Sequence, residues 1–257
     1  MKRFHKKVVV VTGASRGIGQ SICVKFASEG ALVAGVARGS LDDTEGLCAA
    51  GDGFIPIRAD LEEATQSAAT DLVSQILVKA GRIDVVINNA GIIRRAPAVD
   101  YSEADWNAVI ATNLSAPFFL CQAVAKWWLA TGREKSESDA RLKIINIASL
   151  LSFQGGILVP AYTASKHGIA GITKALANEW AKERINVNAI APGYIATENT
   201  RALREDAKRN RAILDRIPEN RWGKPDDIAG GCAFLASSDS EYLNGAIINI
   251  DGGWLGR

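Results

Sequence analysis

The stretch Lys7-Val-Val-Val-Val-Thr12, followed by Gly13-Ala-Ser-Arg-Gly17-Ile-Gly19, decides the fold of this 257-residue chain. Its first part is a short run of apolar, β-branched residues, which is typical of a buried parallel strand. After the glycines, apolar residues recur at helical spacing as far as Phe26, and Gly30 can end the helix. The sequence therefore predicts a strand, a glycine-rich turn and a helix N-terminus in direct succession.

The glycine-rich turn has the features of a phosphate-binding loop. The first amides of a helix lack partners inside the helix, so this end favours a negatively charged group. Glycine permits the tight turn and lets a pyrophosphate approach the backbone closely. Such a turn can be no more than a turn, but between a strand and a helix dinucleotide binding is the better interpretation. The turn residues predicted to bind the dinucleotide are Gly13, Ser15, Arg16, Gly17, Ile18 and Gly19.

Strand-like and helix-like segments alternate along the rest of the chain, which predicts a parallel sheet with helices on both faces. The candidate strands are 7–12, 31–37, 53–59, 83–87, 142–147, 185–190 and 246–250. No linker or repeat divides them, so we expect one α/β domain over residues 1–257, with a Rossmann-like, doubly wound parallel sheet of about seven strands. The polar stretch 131–141 is predicted to be a surface loop, and 194–222 a mobile, partly helical lid over the substrate.

Composition argues against several classes of function. A net charge of +2 provides no basic surface for nucleic acid. The scattered cysteines favour core thiols in a reducing compartment, and two histidines without ligand spacing predict no metal. No apolar run approaches the length of a membrane span, and no signal segment precedes the first strand, so we expect a cytoplasmic protein. The cysteines are Cys23, Cys48, Cys121 and Cys232.

A second group of residues can carry chemistry. Tyr162 and Lys166 lie four residues apart, and Ser149 follows the candidate strand 142–147. In a helix, residues four apart share one face, and a nearby cation lowers the pKa of a phenol from its ordinary value of about 10. With a serine hydroxyl to hold the substrate oxygen, the trio can move a proton on and off a carbinol oxygen. A half-buried tyrosine beside a solvated lysine is the alternative interpretation, which the nucleotide turn makes less favourable.

The second candidate strand ends without an acidic residue and is followed by Arg38. An acid at this place commonly bonds the ribose hydroxyls and selects NAD. Arg38, together with Arg16 in the glycine turn, offers two guanidinium groups to a 2′-phosphate. The sequence therefore predicts NADP(H) in preference to NAD(H), which stays open as an alternative. In the other interpretation, Arg38 is a solvated loop charge.

These motifs together resemble the short-chain dehydrogenase/reductase family, over essentially the whole chain. The family's glycine spacing, its Tyr-x-x-x-Lys pair and its serine are present, as are strings similar to its Asn-Asn-Ala-Gly turn at 88–91 and its Pro-Gly loop at 192–193. The resemblance implies a catalytic set of Asn113, Ser149, Tyr162 and Lys166. It also implies further cofactor-binding residues: Asp60, Leu61, Asn89, Ala90, Gly91, Tyr162, Lys166, Pro192, Gly193, Ile195 and Thr197.

The resemblance further implies a role for each catalytic residue. Tyr162 acts as general acid in reduction and as base in oxidation, while Lys166 lowers the pKa of the phenol and bonds the nicotinamide ribose. Ser149 holds the carbonyl oxygen, and hydride passes between the nicotinamide and the substrate carbon. Asn113 positions a water that relays protons to Lys166, or else it is a packing amide within its helix. Members of the family are usually homotetramers, and residues 252–257 are expected to reach a neighbouring subunit.

The substrate is indicated by residues beside the catalytic set. Arg94 and Arg95 follow the turn 88–91 and suggest a carboxylate on the substrate, with a solvated loop or a subunit contact as the alternative. Strings at 92–95, 151–157 and 213–218 resemble one subfamily, the 2-dehydro-3-deoxy-D-gluconate 5-dehydrogenases, also named 2-deoxy-D-gluconate 3-dehydrogenases. The substrate-binding residues expected on this basis are Arg94, Arg95, Ser149, Gln154, Tyr162 and Tyr194.

That subfamily implies oxidation or reduction of a small deoxy-keto sugar acid in uronate breakdown. Two departures are the Arg16 and Arg38 pair, since many catabolic members use NAD(H), and the stretch 131–141, which is longer than usual. A 3-oxoacyl-[acyl-carrier-protein] reductase is the runner-up because it shares the catalytic set. A non-catalytic nucleotide-binding protein is the third reading, and the intact proton-relay residues argue against it.

Overall fold

The computed structural model describes residues 2–49, 53–132 and 140–256. The strands in this part of the chain are β1 (Val8–Thr12), β2 (Leu32–Ala37), β3 (Phe54–Arg58), β4 (Val85–Asn88), β5 (Leu142–Ile147), β6 (Ile185–Pro192) and β7 (Ile247–Ile250). They form one parallel sheet in the order β3-β2-β1-β4-β5-β6-β7. The sequence located each of these strands to within one or two residues at either end.

Helices cover both faces of the sheet. Their bounds are α1 (Gly17–Ser28), α2 (Asp42–Cys48), α3 (Gln66–Ala80), α4 (Glu103–Ile110), α5 (Ala116–Trp127), α6 (Pro160–Trp180), α7 (Arg201–Glu205), α8 (Ala207–Leu214) and α9 (Pro225–Ala236). Successive residues of β1 face opposite sides, so Val9 and Val11 join a core with α1 and α9 while Val10 joins a core with α3 and α5. The doubly wound α/β sheet predicted from the sequence is thereby confirmed.

The reversal of strand order between β1 and β4 positions the site. Open α/β sheets bind ligands outside the carboxyl ends of their strands, at the point where the order reverses. β1 leads into the turn 13–19 and β4 into the turn 89–91, and the two strands run parallel side by side. β5 ends just before Ser149, and β6 just before Gly193. The loops that carry the predicted motifs therefore all follow the carboxyl ends of the strands, on one side of the sheet.

Residues 194–222 cross this edge and contain α7 and α8. The two ends of the segment are joined, because Ile195 and Gly223 form an isolated parallel bridge. Ala196 N–H donates to the Gly223 carbonyl at 2.8 Å, and Gly223 N–H donates to the Tyr194 carbonyl at 2.9 Å. The segment is partly helical, as predicted. Its buried residues pack beside the catalytic loop in a small apolar cluster that contains Leu150, Ile213, Ile217 and Trp254.

One helical run is longer than the sequence suggested. Residues Glu103–Thr131 form 29 consecutive helical residues, and one 18-residue window within them has a mean hydropathy of 1.5. The expectation that no segment approaches the length of a membrane span is therefore wrong. Of that window, 56% is buried inside the molecule, where Leu120 and Val124 pack on the sheet, as in the core helix of a globular domain.

Other expectations concern loops and side chains. Most of the predicted loop 131–141 falls on residues 133–139, which lie outside the described residues, and Thr131 and Gly132 belong to a helical turn, Trp128–Gly132. Cys23, Cys121 and Cys232 are buried free thiols, as predicted, and Cys48 is buried and free as well. Among the described residues, no group of three His, Cys, Asp or Glu side chains is arranged to hold a metal ion.

Lys143 on β5 is a buried cation with an unsatisfied head group. The residue is 5% exposed, and its Nζ has no hydrogen-bond partner among the described residues. Burial lowers the pKa of Lys143 to about 8, although the Glu241 carboxylate acts in the opposite direction. Because the pKa in the unfolded chain is about 10.4, the unfolded state binds more protons between these two values. Lys143 therefore destabilises the fold at neutral pH, and this cost decreases as the pH rises above about 8.

Replacing Lys143 with Met should stabilise the protein at pH 7, because it removes a buried charge that has no hydrogen-bond partner among the described residues. Thermal unfolding should show a higher Tm, at about 2–4 °C for each kcal/mol in a chain of this size. The difference between variant and wild type should shrink between pH 8 and pH 10, where wild-type Lys143 loses its proton. The exposed Lys79→Met variant is the control, and an equal Tm for both variants would contradict the assignment.

Candidate active site

The turn after β1 presents an open helix N-terminus. Arg16, at the N-cap position of α1, makes no side-chain capping bond, and the first turn contains no acidic residue. Gly17 has a φ of 57°, and a Cβ on Gly19 would lie 2.1 Å from the Gly13 carbonyl oxygen, so side chains are excluded here. The uncapped amides therefore fit an anionic group such as a diphosphate.

Thr12 ties this turn to the one after β4. Its hydroxyl accepts hydrogen bonds from the backbone amides of Asn89 and Ala90, both at 3.0 Å. The Asn89 side chain returns two bonds, to the carbonyls of Thr12 at 3.0 Å and Gly13 at 3.2 Å. Sequence reasoning singled out Asn89, Ala90 and Gly13 but missed Thr12. Its position directly before the glycine turn was the available signal.

Asn113 lies in a π-helical segment, Ala111–Ser115, between α4 and α5. Its Oδ1 accepts the Ile92 N–H at 2.8 Å, and its Nδ2 donates to the Ile92 carbonyl at 2.9 Å and to Ser165 Oγ at 3.2 Å. Both amide protons are therefore in use, and the side chain fixes the loop after β4. The packing role considered for Asn113 is present in the structure, although this amide bonds another loop rather than its own helix.

The three residues predicted to be catalytic lie close together. Tyr162 and Lys166 lie on α6, which begins at Pro160, and Ser149 follows β5. The Ser149 hydroxyl acts to lower the pKa of the Tyr162 phenol, so the two residues form a hydroxyl pair at the carboxyl end of the sheet. Lys166 is 5% exposed, and its Nζ donates to the Ile147 carbonyl at 2.6 Å.

Two serines that sequence reasoning missed hold this trio in place. Ser152 Oγ accepts the Ser149 N–H at 3.3 Å and donates to the Lys166 carbonyl at 2.6 Å, which connects the catalytic loop to α6. Ser165 Oγ donates to the Tyr162 carbonyl at 2.8 Å and also accepts the Asn113 amide. Ser149 and Ser152 have the spacing of a helix-capping box, and this spacing was a sequence signal for Ser152. No sequence signal pointed to Ser165.

The electrostatics of the trio differ from the expectation. Burial raises the pKa of Tyr162, while the hydrogen bond with Ser149 and the charge of Arg95 act to lower it. Lys166 Nζ lies 5.6 Å from the centre of the Tyr162 ring and is not among the groups that lower this pKa. Burial also lowers the pKa of Lys166 to about 8. The lowering of the phenol's pKa by Lys166 stays a prediction.

Arg38 lies close to acidic residues rather than standing alone. Its side chain is 67% exposed, and its Nη1 lies 3.7 Å from carboxylate oxygens of both Asp60 and Glu62. Asp60 Oδ1 also accepts the Glu62 N–H at 3.0 Å, which caps the short turn Leu61–Glu63. Arg16 is exposed at the start of α1. The Arg38 guanidinium is therefore ordered by weak, solvated ion pairs at the end of β2.

The loop after β6 brings its predicted residues beside the same edge. Pro192 ends β6, the Gly193 N–H donates to the Ile250 carbonyl at 2.9 Å, and Ile195 is buried. Thr197 approaches the glycine turn, since its Cγ2 lies 3.5 Å from the place that a Cβ on Gly17 would take. The turns after β1 and β6 therefore face each other.

The two arginines proposed for the substrate have different surroundings. Arg94 Nε lies 3.4 Å from Asp105 Oδ1, and its carbonyl accepts the Tyr101 hydroxyl at 3.3 Å. Arg95 makes no ion pair with any described residue, and its charge acts on the Tyr162 phenol. The surroundings favour Arg95 over Arg94 as a group that faces the reacting centre.

The other substrate candidates meet at the C-terminal turn. The Trp254 indole N–H donates to Gln154 Oε1 at 3.4 Å, and its ring lies 4.8 Å from that of Tyr194. Trp254 is 6% exposed and packs on Leu150 within this chain, and a contact of residues 252–257 with a neighbouring subunit stays a prediction. Arg257 lies outside the described residues. The hydrogen bond from Trp254 uses only the side-chain oxygen of Gln154, so the Gln154 amide N–H groups can donate to a ligand.

Comparison with known proteins agrees with this geometry. Residues 7–208 match the short chain dehydrogenase family. The chain is 48% identical over 252 residues to the 2-dehydro-3-deoxy-D-gluconate 5-dehydrogenase of Dickeya dadantii, covering 98% of this chain and 96% of that one. A solved structure from Agrobacterium tumefaciens, assigned as a 2-deoxy-D-gluconate 3-dehydrogenase with bound NADP, is 49% identical, with a TM-score of 0.89 and 100% of both chains covered. A 3-oxoacyl-[acyl-carrier-protein] reductase of Thermotoga maritima is more distant, at 38% identity over 257 residues, with 98% of both chains covered.

Replacing Asn113 with Asp should destabilise the protein, because a carboxylate cannot donate to Ile92 and Ser165. We expect a loss of about 1–3 kcal/mol, the usual cost of leaving buried hydrogen-bonding groups unpaired. Thermal unfolding measures it, with Asn107→Asp at an exposed position of α4 as the matched control. Equal stability of the two variants would mean that these hydrogen bonds do not hold the loop.

Proposed function

The chain belongs to the short-chain dehydrogenase family, and from that premise we propose that it interconverts a secondary alcohol and a ketone on a deoxy-keto sugar acid. The substrate is of the 2-dehydro-3-deoxy-D-gluconate type, as in the curated relative. The observation that carries the proposal is the Ser149–Tyr162 hydroxyl pair beside buried Lys166, at the edge where a dinucleotide fold binds its ligand.

Tyr162 is the group that exchanges a proton with the substrate oxygen. Burial keeps its phenol protonated at neutral pH, which suits a general acid in ketone reduction, and the reverse reaction needs the phenolate. Ser149 holds the carbonyl oxygen through its hydroxyl. Lys166, with a pKa of about 8, can pass a proton onward without a large change in free energy. The nicotinamide cofactor supplies or accepts the hydride.

NADP(H) is the cofactor, with NAD(H) as a weaker alternative. The uncapped start of α1 fits the diphosphate, and Arg16 and Arg38 are the cations available to a 2′-phosphate. A 2′-phosphate has to compete with Asp60 and Glu62 for Arg38. Because these ion pairs are exposed to solvent, breaking them costs little free energy. The solved relative with bound NADP supports the same choice.

The substrate's carboxylate is bound by Arg95. Arg95 lies just after the turn 88–91, and it forms no ion pair with a described carboxylate. Its positive charge acts to lower the pKa of the Tyr162 phenol. Gln154 and Tyr194 complete the far side of the pocket, held by Trp254. Arg94, paired with Asp105, has a supporting role. A charged and hydroxylated substrate suits this lining better than an acyl chain does.

Our proposal extends to the setting of the enzyme. The protein works in the cytoplasm in the breakdown of uronates, without nucleic-acid or membrane partners, as a single domain whose segment 194–222 opens and closes over the substrate. We expect a homotetramer. Its support is the exposed apolar surface, which includes Trp106 on α4 and Phe234 on α9, at 41% and 39% exposure.

The purified protein should oxidise 2-dehydro-3-deoxy-D-gluconate in a 340 nm assay, faster with NADP⁺ than with NAD⁺. Tyr162→Phe should slow turnover by at least about 10²-fold, as expected for the loss of a general acid or base. NADPH affinity, measured by fluorescence titration, should be unchanged. The exposed Tyr242→Phe is the matched control and should keep full activity.

Other outcomes would lead to different conclusions. Turnover of acetoacetyl-CoA with NADPH, but not of the sugar acid, would indicate a carrier-protein reductase. NADPH binding without turnover of any carbonyl compound would indicate a nucleotide-binding protein. An equal or better kcat/KM with NAD⁺ would contradict the role of Arg16 and Arg38.

Replacing Arg95 with Gln should shift the pH dependence of alcohol oxidation. Oxidation needs the phenolate of Tyr162, and the Arg95 charge lowers the pKa of that phenol. Without this charge the pKa rises, so the ascending limb of kcat against pH should move to higher pH, in addition to a higher KM for the sugar acid. Arg94→Gln is the control, and a profile that does not move in either variant would show that Arg95 is remote from the phenol.

A further inference from the structure

Side chains from three places in the chain meet at the ring of Trp254. The indole N–H donates to Gln154 Oε1 at 3.4 Å, and the ring centre lies 4.8 Å from that of Tyr194. The Arg216 guanidinium lies over the ring, with its Cζ 4.0 Å from the ring centre. Gln154 belongs to the loop after β5 and Tyr194 to the loop after β6. The indole therefore lies where the two loops on the substrate side of the site converge.

The C-terminal turn and its packing constrain this indole. The Asp251 carboxylate accepts the Gly253 N–H at 2.9 Å and the Leu255 N–H at 3.0 Å, which caps the turn. Trp254 is 6% exposed and packs with Leu150 in the small apolar cluster beside the catalytic loop. A guanidinium over the face of an indole adds a further attraction. Both the backbone and the ring of Trp254 are therefore held in place.

The indole decides which way the Gln154 amide points. An indole N–H can only donate, so Gln154 has to present its oxygen to Trp254 and its nitrogen away from it. No described residue accepts a hydrogen bond from Gln154 Nε2. Gln154 therefore offers N–H donors to a ligand, and it suits an oxygen that can only accept, such as that of a ketone or a carboxylate.

The loop that carries Gln154 is joined to the loop that carries Arg95. The Ala96 N–H donates to the carbonyl of Leu158, which lies four residues beyond Gln154. A cation that suits a carboxylate and a neutral donor that suits a ketone are thus carried by two connected loops, one of which begins at Ser149. A 2-oxo acid presents the matching pair of groups, because its oxo oxygen is attached to the carbon next to the carboxylate.

We propose that Gln154 donates a hydrogen bond to the 2-oxo group of the substrate, and that Trp254 is the positioning residue behind this specificity. The inference rests on the proposed function, in which Arg95 binds the neighbouring carboxylate. An acid without an oxygen at C2 leaves the Gln154 donors unpaired. A site built to hydrogen-bond an oxygen discriminates against an analogue that lacks it, because the polar groups of the site then have no partner. The enzyme therefore prefers a 2-oxo acid to a 2-deoxy acid.

Steady-state kinetics with two acids tests the specificity. For 2-dehydro-3-deoxy-D-gluconate, Gln154→Leu should raise KM by roughly 10-fold, as expected for the loss of one hydrogen bond, with kcat little changed. For 2-deoxy-D-gluconate, which has no oxygen at C2, the variant and wild type should have the same KM, or the same Ki if this acid only inhibits. Wild type should therefore favour the 2-oxo acid, and Gln154→Leu should lose this preference.

Combined variants test the role of Trp254. Trp254→Phe keeps an aromatic ring but removes the N–H that orients Gln154, so it should raise the same KM by up to roughly 10-fold. In the Gln154→Leu background it should change that KM no further, because the two residues act through one contact. Trp222→Phe is the matched control, since it removes an indole N–H that donates to Asn210 instead. This control should keep the preference of wild type.

The remaining outcomes are decisive. Unchanged KM for the 2-oxo acid in Gln154→Leu would overturn the proposal. An equal increase for both acids would also overturn it, because the amide would then not distinguish the group at C2. Independent effects of Gln154→Leu and Trp254→Phe would refute the positioning role of Trp254. If wild type oxidises no sugar acid, the proposed function is wrong rather than this inference alone. Gln154 is half-buried on a loop, so Gln154→Leu answers the question should Trp254→Phe not fold.

Discussion

The hydroxyl of Thr12 holds two turns from different strands against each other, and the arrangement of the site depends on that contact. β1 and β4 are distant in sequence but adjacent in the sheet. At their ends the backbone must leave the ladder, and its amides need new acceptors. Thr12 supplies one oxygen for the amides of Asn89 and Ala90. The glycine turn and the turn after β4 are therefore held in direct contact, and together they form one surface at the carboxyl ends of the two strands.

Burial shapes the chemistry of the trio as strongly as its charges do. The same loss of water raises the pKa of Tyr162 and lowers that of Lys166, so both side chains move toward their uncharged forms. A neutral phenol can give its proton to a substrate oxygen, and an amine with a pKa of about 8 can take up or release a proton near neutral pH. The hydrogen bonds made by Ser152 and Ser165 matter for this reason, since they hold the backbone of α6 in place while protons move.

Two kinds of feature could be predicted from the sequence: the strands and helices that alternate along the chain, and motifs formed by residues close together in sequence. The alternation of apolar runs predicted the sheet, because its inner strands β1, β4, β5 and β6 are buried on both faces. The spacing of Tyr162 and Lys166 predicted their shared helix face. The sequence did not predict contacts between distant parts of the chain. For Asn113 it indicated a relay residue or a packing amide, and it did not reveal that the side chain bonds Ile92. The environments of Arg95 and Trp254 likewise depend on which distant segments pack beside them.

The bridge between Ile195 and Gly223 has a consequence for how such a protein can change over time. Because the bridge joins the two ends of the intervening segment, the segment is a closed loop in the folded protein. The entropic cost of closing such a loop grows only slowly with its length. Exposed positions between these points can gain, lose or exchange residues while Ile213 and Ile217 keep their packing on Leu150 beside Ser149. The strand ends that hold Ser149 can therefore stay constant while the surface of the segment diverges.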